Sequence, residues 1–306
     1  MAADDLDGEV LASALAELTR GFSVEVTPRE APKVQHFGEV LAEGTRVYIT
    51  FLANTPFEDT LALARRAVDE GMRPVPHLAV RSIPSRRALT GMVAALADVG
   101  ATEMLVIAGS VSKPAGEYEE TMQVLASGVL PEHGITRIGV AGHPEGAPDI
   151  SATELAAALA AKNAVAAEQG LDLYIVTQFS FAPEPIVEWE REIRAAGNRL
   201  PIVIGLPGLT SPAKLLKFGL SCGIGPSLKV LRKQSGGVLK LATSSVYHPD
   251  QTMLGLVRSR VSDPASLISG VHFFPFGSLE RTAEWARQVS AGQFVVDTNN
   301  TLRVTA

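Results

Sequence analysis

One feature of the sequence constrains the fold more than any other: short apolar runs rich in β-branched residues alternate with longer stretches of helical periodicity. The short runs predict buried strands and the amphipathic stretches predict connecting helices, which indicates repeated βα units and a parallel sheet. Eight such runs at near-even spacing favour closure into a (β/α)8 TIM barrel of the α/β class over an open sheet. The predicted strands are 23–26, 47–52, 73–80, 104–109, 137–142, 173–179, 201–206 and 271–276.

The helical stretches carry their own start and stop signals. Ser151 followed by Glu154 predicts a capping box, and Gly71, Gly170 and Gly197 stand where helices commonly end. These signals place the helices between the strands, as a barrel requires. The predicted helices are 57–71, 85–99, 117–130, 152–170, 184–197 and 278–291.

Two segments depart from the simplest barrel. Residues 1–22 predict an extra helix before the first strand, covering the bottom or an outer face of the barrel. Residues 207–270 predict a helical insertion between strands seven and eight, with helices at 211–223, 227–235 and 251–261. No internal repeat or linker divides the chain, so we predict a single domain over 1–306.

Bulk composition excludes several classes of protein. The net charge of −6 argues against a dedicated nucleic-acid-binding protein, which needs clustered Lys and Arg to neutralise phosphates. No run of about 18 apolar residues is free of charges or helix breakers, so no membrane span is predicted. The first residues are acidic, unlike a secretory signal. The single cysteine, Cys222, indicates a reducing cytoplasm and is expected to be a buried small residue.

TIM-barrel enzymes place their chemistry at the C-terminal ends of the strands. Six of the predicted strands end in a polar or glycine-rich position, which makes this rim the candidate site. These positions are Glu25, Thr50, His77, Gly109 with Ser110, the turn 142–145, and Gln178. The histidines elsewhere are scattered without the spacing of metal ligands, so no metal site is predicted.

Glu25 and His77 each have two interpretations. If Glu25 points into the barrel, loss of water should raise its pKa and make it a proton donor near neutrality. If it points outward, it is a strand carboxylate paired with Lys or Arg. His77 is either a site residue or, as is more common for a lone histidine, a structural residue with satisfied hydrogen bonds.

Four further features could contact a ligand. The backbone at 107–110 ends in small residues that allow close approach. The turn 141–148, AGHPEGAP, could hold a phosphate at a helix start or be an ordinary rigid turn. Lys162, alone on an alanine-rich helix, could serve a phosphate or keep that face soluble. Gln178, if buried, must hydrogen-bond to a flat heterocycle or to neighbouring backbone.

Taken in order, these segments resemble the catalytic domain of methylenetetrahydrofolate reductases. The resemblance runs from about Gly21 to Ala291 and is most specific in four motifs. These are SVEVTP at 23–28, PHL at 76–78, AGHPEGAP at 141–148 and VTQFSF at 176–181. The family's domain is a barrel that holds FAD, where nicotinamide and folate take turns at one flavin face.

The resemblance implies a role for each matching position. Glu25 falls on the general acid, which protonates the leaving folate nitrogen. Gln178 falls on a folate-contacting amide, with Ser110 beside the substrate. We expect Glu25 and Gln178 to converge at one rim. The implied cofactor-binding positions are Thr50, His77, Ala108, Gly109, Tyr118, Ala141, His143, Glu145 and Lys162.

Several positions depart from the family. Strand four ends in Ile-Ala-Gly-Ser, where the family has Leu-Arg-Gly-Asp, so a flavin-contacting Arg and an Asp beside flavin and pterin are missing. His143 replaces a tyrosine, Ala147 replaces a histidine, and Pro212 stands where an aromatic residue is expected to stack on nicotinamide or folate. FAD is still expected, with NADH or NADPH as co-substrate. Direct hydride transfer from NAD(P)H without flavin is the alternative.

The resemblance therefore implies an oxidoreductase that interconverts 5,10-methylenetetrahydrofolate and 5-methyltetrahydrofolate. Tetrahydrofolate derivatives are the expected partners. The alternatives are a pterin-binding barrel methyltransferase that needs no flavin and a non-catalytic folate-binding relative. Apolar helical surface such as 215–220 would permit a homo-oligomer.

Overall fold

The eight apolar runs form the strands of one closed barrel. A computed structural model describes residues 8–53, 55–147, 150–221, 246–297 and 301–305. Eight parallel strands follow one another around the barrel in chain order, which confirms the predicted (β/α)8 fold. The strands are β1 (Ser23–Val26), β2 (Arg46–Ile49), β3 (Arg73–Ala79), β4 (Glu103–Ile107), β5 (Arg137–Gly142), β6 (Asp172–Thr177), β7 (Ile202–Pro207) and β8 (Ile268–Phe274).

Helices surround these strands, and most lie where the periodicity predicts them. The glycines expected at helix ends, Gly71, Gly170 and Gly197, have φ of 80°, 65° and 102°, a left-handed conformation that favours glycine. The helices are α1 (Gly8–Thr19), α2 (Phe37–Val40), α3 (Phe57–Asp69), α4 (Arg86–Asp98), α5 (Thr121–Leu125), α6 (Val129–Glu132), α7 (Ala152–Gln169), α8 (Pro183–Ala195), α9 (Pro212–Ser221), α10 (Asp250–Ser262) and α11 (Leu279–Ser290).

Three details differ from the sequence-based expectations or lie beyond them. The single helix expected over 117–130 is wrong, because Gly128 adopts φ 78° and separates α5 from α6. A short antiparallel hairpin of β9 (Phe294–Val296) and β10 (Leu302–Val304) was not expected. The helix predicted at 227–235 and the burial predicted for Cys222 lie outside the described residues. The capping box at Ser151 stays a prediction.

The chain divides into two compact units. The terminal unit comprises Met1–Phe22, His143–Ala152 and Thr177–Ala306, and the central unit comprises Ser23–Gly142 and Thr153–Val176. Each unit has its own buried residues. The prediction of a single domain stays a prediction.

In the terminal unit, the helix expected before the first strand packs on the last elements of the chain. α1 contacts α10, α11, β8 and β9, and it buries Leu11, Leu15 and Leu18. The ring of Phe273 in β8 meets Trp285 of α11 edge-on at 6.0 Å, so Phe273 faces the helices. Because side chains alternate along a strand, His272 and Phe274 face the opposite side of β8.

In the central unit, polar side chains close the N-terminal end of four strands. Glu103, 5% exposed, opens β4 and pairs with Arg46 of β2 at 2.8 Å and with Arg137 of β5 at 3.2 Å. Arg137 also pairs with Asp172 at the start of β6. We call Arg46, Glu103, Arg137 and Asp172 the basal ion network.

Two tyrosines lie above the basal ion network and identify the interior face of the strands. The hydroxyls of Tyr48 and Tyr174 are 2.6 Å apart and join β2 to β6. A Cβ on Gly139 would lie 2.9 Å from the Tyr174 hydroxyl, so only glycine fits opposite this ring. Since β2 and β6 are not neighbours in the barrel, side chains that face the same way as Tyr48 face its interior.

Candidate active site

Glu25, Thr50 and His77 come together at the C-terminal ends of β1, β2 and β3. Thr50 lies two residues after Tyr48 and therefore faces the interior. Its hydroxyl donates to Glu25 Oε1 at 2.7 Å, and His77 Nε2 lies 3.7 Å from Glu25 Oε2. Only 16% of the Glu25 side chain and 7% of the His77 side chain are exposed. We call these three residues the acid cluster.

The acid cluster settles the orientation that the sequence left open. Glu25 faces the barrel interior, with a hydroxyl at one oxygen and an imidazole near the other. The Tyr48 ring packs edge-on against His77 with centroids 6.1 Å apart, which restricts the imidazole. A part-buried carboxyl group with one oxygen fixed by a hydrogen bond can present a proton at a defined place.

The segment after β4 is anchored to the corner after β3. Gly109 has φ 88°, and a Cβ there would lie 3.1 Å from that of Ala79. The carbonyl of Ala108 accepts from Arg81 N at 3.0 Å, and Ala115 N donates back to the Arg81 carbonyl at 2.8 Å. Ser110 is exposed. The structure thus uses the Ala108 backbone to hold this loop in place.

Tyr118 and Gly116 complete the anchor. Tyr118 is 5% exposed, and burial raises the pKa of its phenol. A Cβ on Gly116 would lie 2.2 Å from the Pro84 carbonyl oxygen, so the loop touches the backbone of the preceding corner. The side chain of Tyr118 is therefore part of the packing of the central unit itself.

Lys162 is a buried cation on α7. It is 8% exposed, and burial lowers the pKa of its ammonium group. Within the part of the chain that the structure describes, this group has no hydrogen bond or ion pair. Because a buried unpaired charge is unfavourable, the position suits an anionic group such as a phosphate. Ala141, near the end of β5, is half-buried.

The remaining predicted residues belong to the terminal unit. His143 and Glu145 are half-buried in a turn closed by Gly146 N, which donates to the His143 carbonyl at 3.0 Å. Gln178 is exposed, because β6 ends at Thr177 and not at the predicted residue 179. Its Oε1 accepts from Phe179 N at 3.1 Å. The convergence of Gln178 with Glu25 stays a prediction.

The terminal unit also contains a group of rings that the sequence reasoning missed. Phe179 lies 5.0 Å from Phe276 and 5.4 Å from Phe274, and Phe276 stacks on Phe218 of α9 at 4.6 Å with an interplanar angle of 23°. We call the following residues the aromatic cluster: Phe179, Phe181, Phe218, Tyr247, Phe274 and Phe276. Aromatic residues two apart just after β6 and at the end of β8 were the available signal.

Phe276 is the one non-glycine residue with positive φ among the described residues, at 50°. A bulky side chain in this conformation costs about 1–3 kcal/mol and persists only where the surroundings enforce it. Phe276 and Phe274 are half-buried, and Phe218 is 36% exposed, so part of the stack remains accessible.

No helix among the described residues is both long and apolar enough to cross a membrane. The described side chains contain no group of three or more His, Cys, Asp or Glu placed to hold a metal ion.

Comparison with known proteins leaves the family open. No protein-family profile matches the chain. A protein of Burkholderia cenocepacia assigned as a phosphonomutase is similar with 13% identity and a TM-score of 0.49, over 93% of this chain and 98% of that one. Dihydropteroate synthase of Thermus thermophilus is similar with 15% identity and a TM-score of 0.45, over 88% of this chain and 92% of that one. Dihydropteroate synthase of Yersinia pestis is similar with 13% identity and a TM-score of 0.44, over 89% of this chain and 93% of that one. Values this low carry no argument about substrate or reaction.

Proposed function

We propose that the chain is a methylenetetrahydrofolate reductase in which Glu25 is the proton donor. The observation that carries the proposal is the acid cluster: an interior carboxylate held by Thr50 at 2.7 Å and faced by His77 at 3.7 Å. Enzymes of this fold act at the C-terminal ends of the strands, where these residues lie. The resemblance of the motifs around Glu25 and His77 to those of methylenetetrahydrofolate reductases supplies the substrate class.

The proposed reaction needs one proton and one hydride. Glu25 protonates the bridging nitrogen that is to leave, so that its bond to the methylene carbon breaks and an iminium forms at the other nitrogen. Hydride that originates from NAD(P)H, by either of the two routes below, adds to that carbon and gives the methyl group, while the nicotinamide is oxidised. The Thr50 hydroxyl and His77 fix the carboxyl group against the substrate. The deprotonated Glu25 then recovers its proton from water.

Lys162 is the residue that best fits the FAD implied by the resemblance. Its buried ammonium group would pair with a phosphate of the cofactor. When bound, a flavin would accept hydride from the nicotinamide and deliver it to the folate. The Arg and Asp of the family's fourth strand are absent, and Thr50 and His77 already contact Glu25. Direct transfer from NAD(P)H is therefore the second route that we propose to test.

The visible spectrum of the purified protein separates the two routes. Flavin absorption that NADH bleaches supports transfer through FAD. A colourless protein that oxidises NADH only in the presence of methylenetetrahydrofolate supports direct transfer. A colourless protein that consumes no NADH would contradict the reductase and leave the methyltransferase or the non-catalytic folate-binding protein.

The role of Glu25 is tested by Glu25→Gln, which keeps the shape of the side chain and removes its proton. We expect folate reduction to fall by about 100-fold or more, the usual order for loss of a general acid. Binding of NADH should be retained, because it needs no proton from this group. The control is Glu168→Gln, an exposed carboxylate on α7. Folate reduction within a few-fold of wild type would reject Glu25 as the acid.

A further inference from the structure

Tyr48 and Tyr174 form a pair in the interior of the central unit that no step of the proposed reaction uses. Their hydroxyls are 2.6 Å apart, and each residue is only 1% exposed. Burial raises the pKa of both phenols, so both stay protonated and the pair carries no charge. We call these two residues the tyrosine pair.

The tyrosine pair is anchored at its lower end. The Cζ atom of Arg137, a member of the basal ion network, lies 4.6 Å from the centre of the Tyr174 ring. A Cβ on Gly139 would lie 2.9 Å from the Tyr174 hydroxyl oxygen, so the backbone of β5 touches the edge of this ring. Tyr174 therefore offers Tyr48 a hydroxyl at a fixed place.

The upper end of the tyrosine pair contacts the acid cluster. The Tyr48 ring meets the His77 ring edge-on, with centroids 6.1 Å apart and an interplanar angle of 81°. His77 Nε2 lies 3.7 Å from Glu25 Oε2, which is longer than a hydrogen bond. A continuous series of contacts thus runs from the basal ion network to the proposed acid, through Tyr174, Tyr48 and His77.

The separation between His77 and Glu25 decides where the proton of the acid can go. An imidazole is ordinarily a stronger base than a carboxylate, with pKa values of about 6.5 and about 4.3. At hydrogen-bond distance, an imidazole nitrogen that carries no hydrogen would take the proton from the carboxyl group. The O–H bond would break, an N–H bond would form, and an imidazolium–carboxylate pair would remain. A carboxylate in such a pair has no proton to give to a substrate.

We propose that Tyr48 and Tyr174 are positioning residues that hold His77 back from Glu25. Because the imidazole stays beyond hydrogen-bond distance, Glu25 keeps its proton until the folate nitrogen accepts it. The tyrosine pair acts through His77 and touches no substrate. The consequence for catalysis rests on the proposed function, which makes Glu25 the acid, whereas the restraint on His77 does not.

Tyr174→Phe tests the restraint from a distance, because it removes a hydroxyl that does not contact His77. We expect kcat for folate reduction to fall by about 5- to 50-fold, the scale of a small misplacement at a reacting group, with KM unchanged. Tyr48→Phe combined with Tyr174→Phe leaves no hydroxyl without a partner, so it should fold and show the same loss. The control is Phe37→Leu, a fully buried ring of the central unit that packs on Arg66 at 4.9 Å. An equal loss of kcat in the control would overturn the proposal.

A double-mutant cycle shows whether the tyrosine pair acts through His77. Substitutions that act independently multiply their effects on the rate, whereas two members of one series of contacts do not. We therefore expect Tyr174→Phe to add no further loss once His77→Gln is in place. Losses that multiply would mean that the tyrosine pair acts on the rate by another route, and they would overturn the proposal.

NMR of the histidine side chains measures the restraint without turnover. The proton–nitrogen signals of the His77 imidazole are those that disappear in His77→Gln. Tyr174→Phe should shift them and leave the signals of His133, at the end of α6, in place. Unchanged His77 signals, or shifted signals with an unchanged kcat, overturn the proposal even if reduction depends on Glu25. Shifted signals in a protein that reduces no folate sustain the restraint on His77 and reject the reductase.

Discussion

Asp250 is a buried carboxylate whose surroundings favour its neutral form. It begins α10, is 4% exposed, and accepts from Leu302 N of the C-terminal hairpin at 3.0 Å. Burial and the charge of Asp297 raise the pKa of Asp250 from 3.8 to about 6. Its contribution to stability is therefore complete below about pH 4 and is lost as the pH rises through about 6.

Asp250→Asn tests this pH dependence, because the amide oxygen can still accept from Leu302 while no charge forms. We expect the variant to gain roughly 1–3 kcal/mol relative to wild type on going from pH 4 to pH 8. Urea unfolding of both proteins at the two pH values measures the gain. An equal difference at pH 4 and pH 8 would show that Asp250 stays in one protonation state.

At the level of single residues, the sequence predicted part of the candidate site and missed the rest. Glu25, Thr50 and His77 could be predicted as site residues because each stands near the end of a predicted strand. Parallel strands bring such positions to one rim. Strand six was predicted to run to residue 179, whereas β6 ends at Thr177 and leaves the Gln178 side chain exposed. The aromatic cluster was missed because Phe218 and Phe276 are far apart in the chain and meet only through tertiary packing.

At the level of helices and loops, Gly91 and Gly116 should respond in opposite ways to substitution by alanine, because their surroundings differ. Gly91 lies within α4 with nothing within 4 Å of an added Cβ, whereas a Cβ on Gly116 would meet the Pro84 carbonyl oxygen at 2.2 Å. Gly91→Ala should stabilise by about 0.5–1 kcal/mol, because alanine favours the helix. Gly116→Ala should destabilise by about 1–3 kcal/mol, because the loop must move. Thermal unfolding of the pair checks both signs, and a loss in Gly91→Ala would contradict the free space there.

Prediction of the elements succeeded where the signal is local. Periodicity and helix-end glycines gave α3, α4, α7 and α8 to within a few residues. The interruption at Gly128 was missed because an isolated glycine in an amphipathic stretch resembles a tolerated helix glycine. The hairpin of β9 and β10 was missed because strands of three residues show too little alternation to be recognised.

For the molecule as a whole, the basal ion network links four strands of the barrel. The side chain of Glu103 is only 6% exposed and forms ion pairs with Arg46 and Arg137, whose side chains are 29% and 36% exposed. Glu103→Gln removes the shared charge and should lower the free energy of unfolding by roughly 1–3 kcal/mol, since the arginines are partly screened by water. Guanidinium chloride unfolding measures the loss, with Glu168→Gln as the exposed control. Equal midpoints for the two variants would show that the network adds no stability.

The packing of α1 has a consequence for how the protein is made. Its apolar face is covered by α10, α11 and β9, and Glu17 pairs with Arg260 at 3.2 Å, 243 positions away. At about 5–20 residues per second, a ribosome needs roughly 10–50 s to synthesise the intervening chain. Throughout that interval Leu11, Leu15 and Leu18 lack their native partners, so the nascent chain presents an exposed apolar helix that chaperones can bind until α10 and α11 have been synthesised.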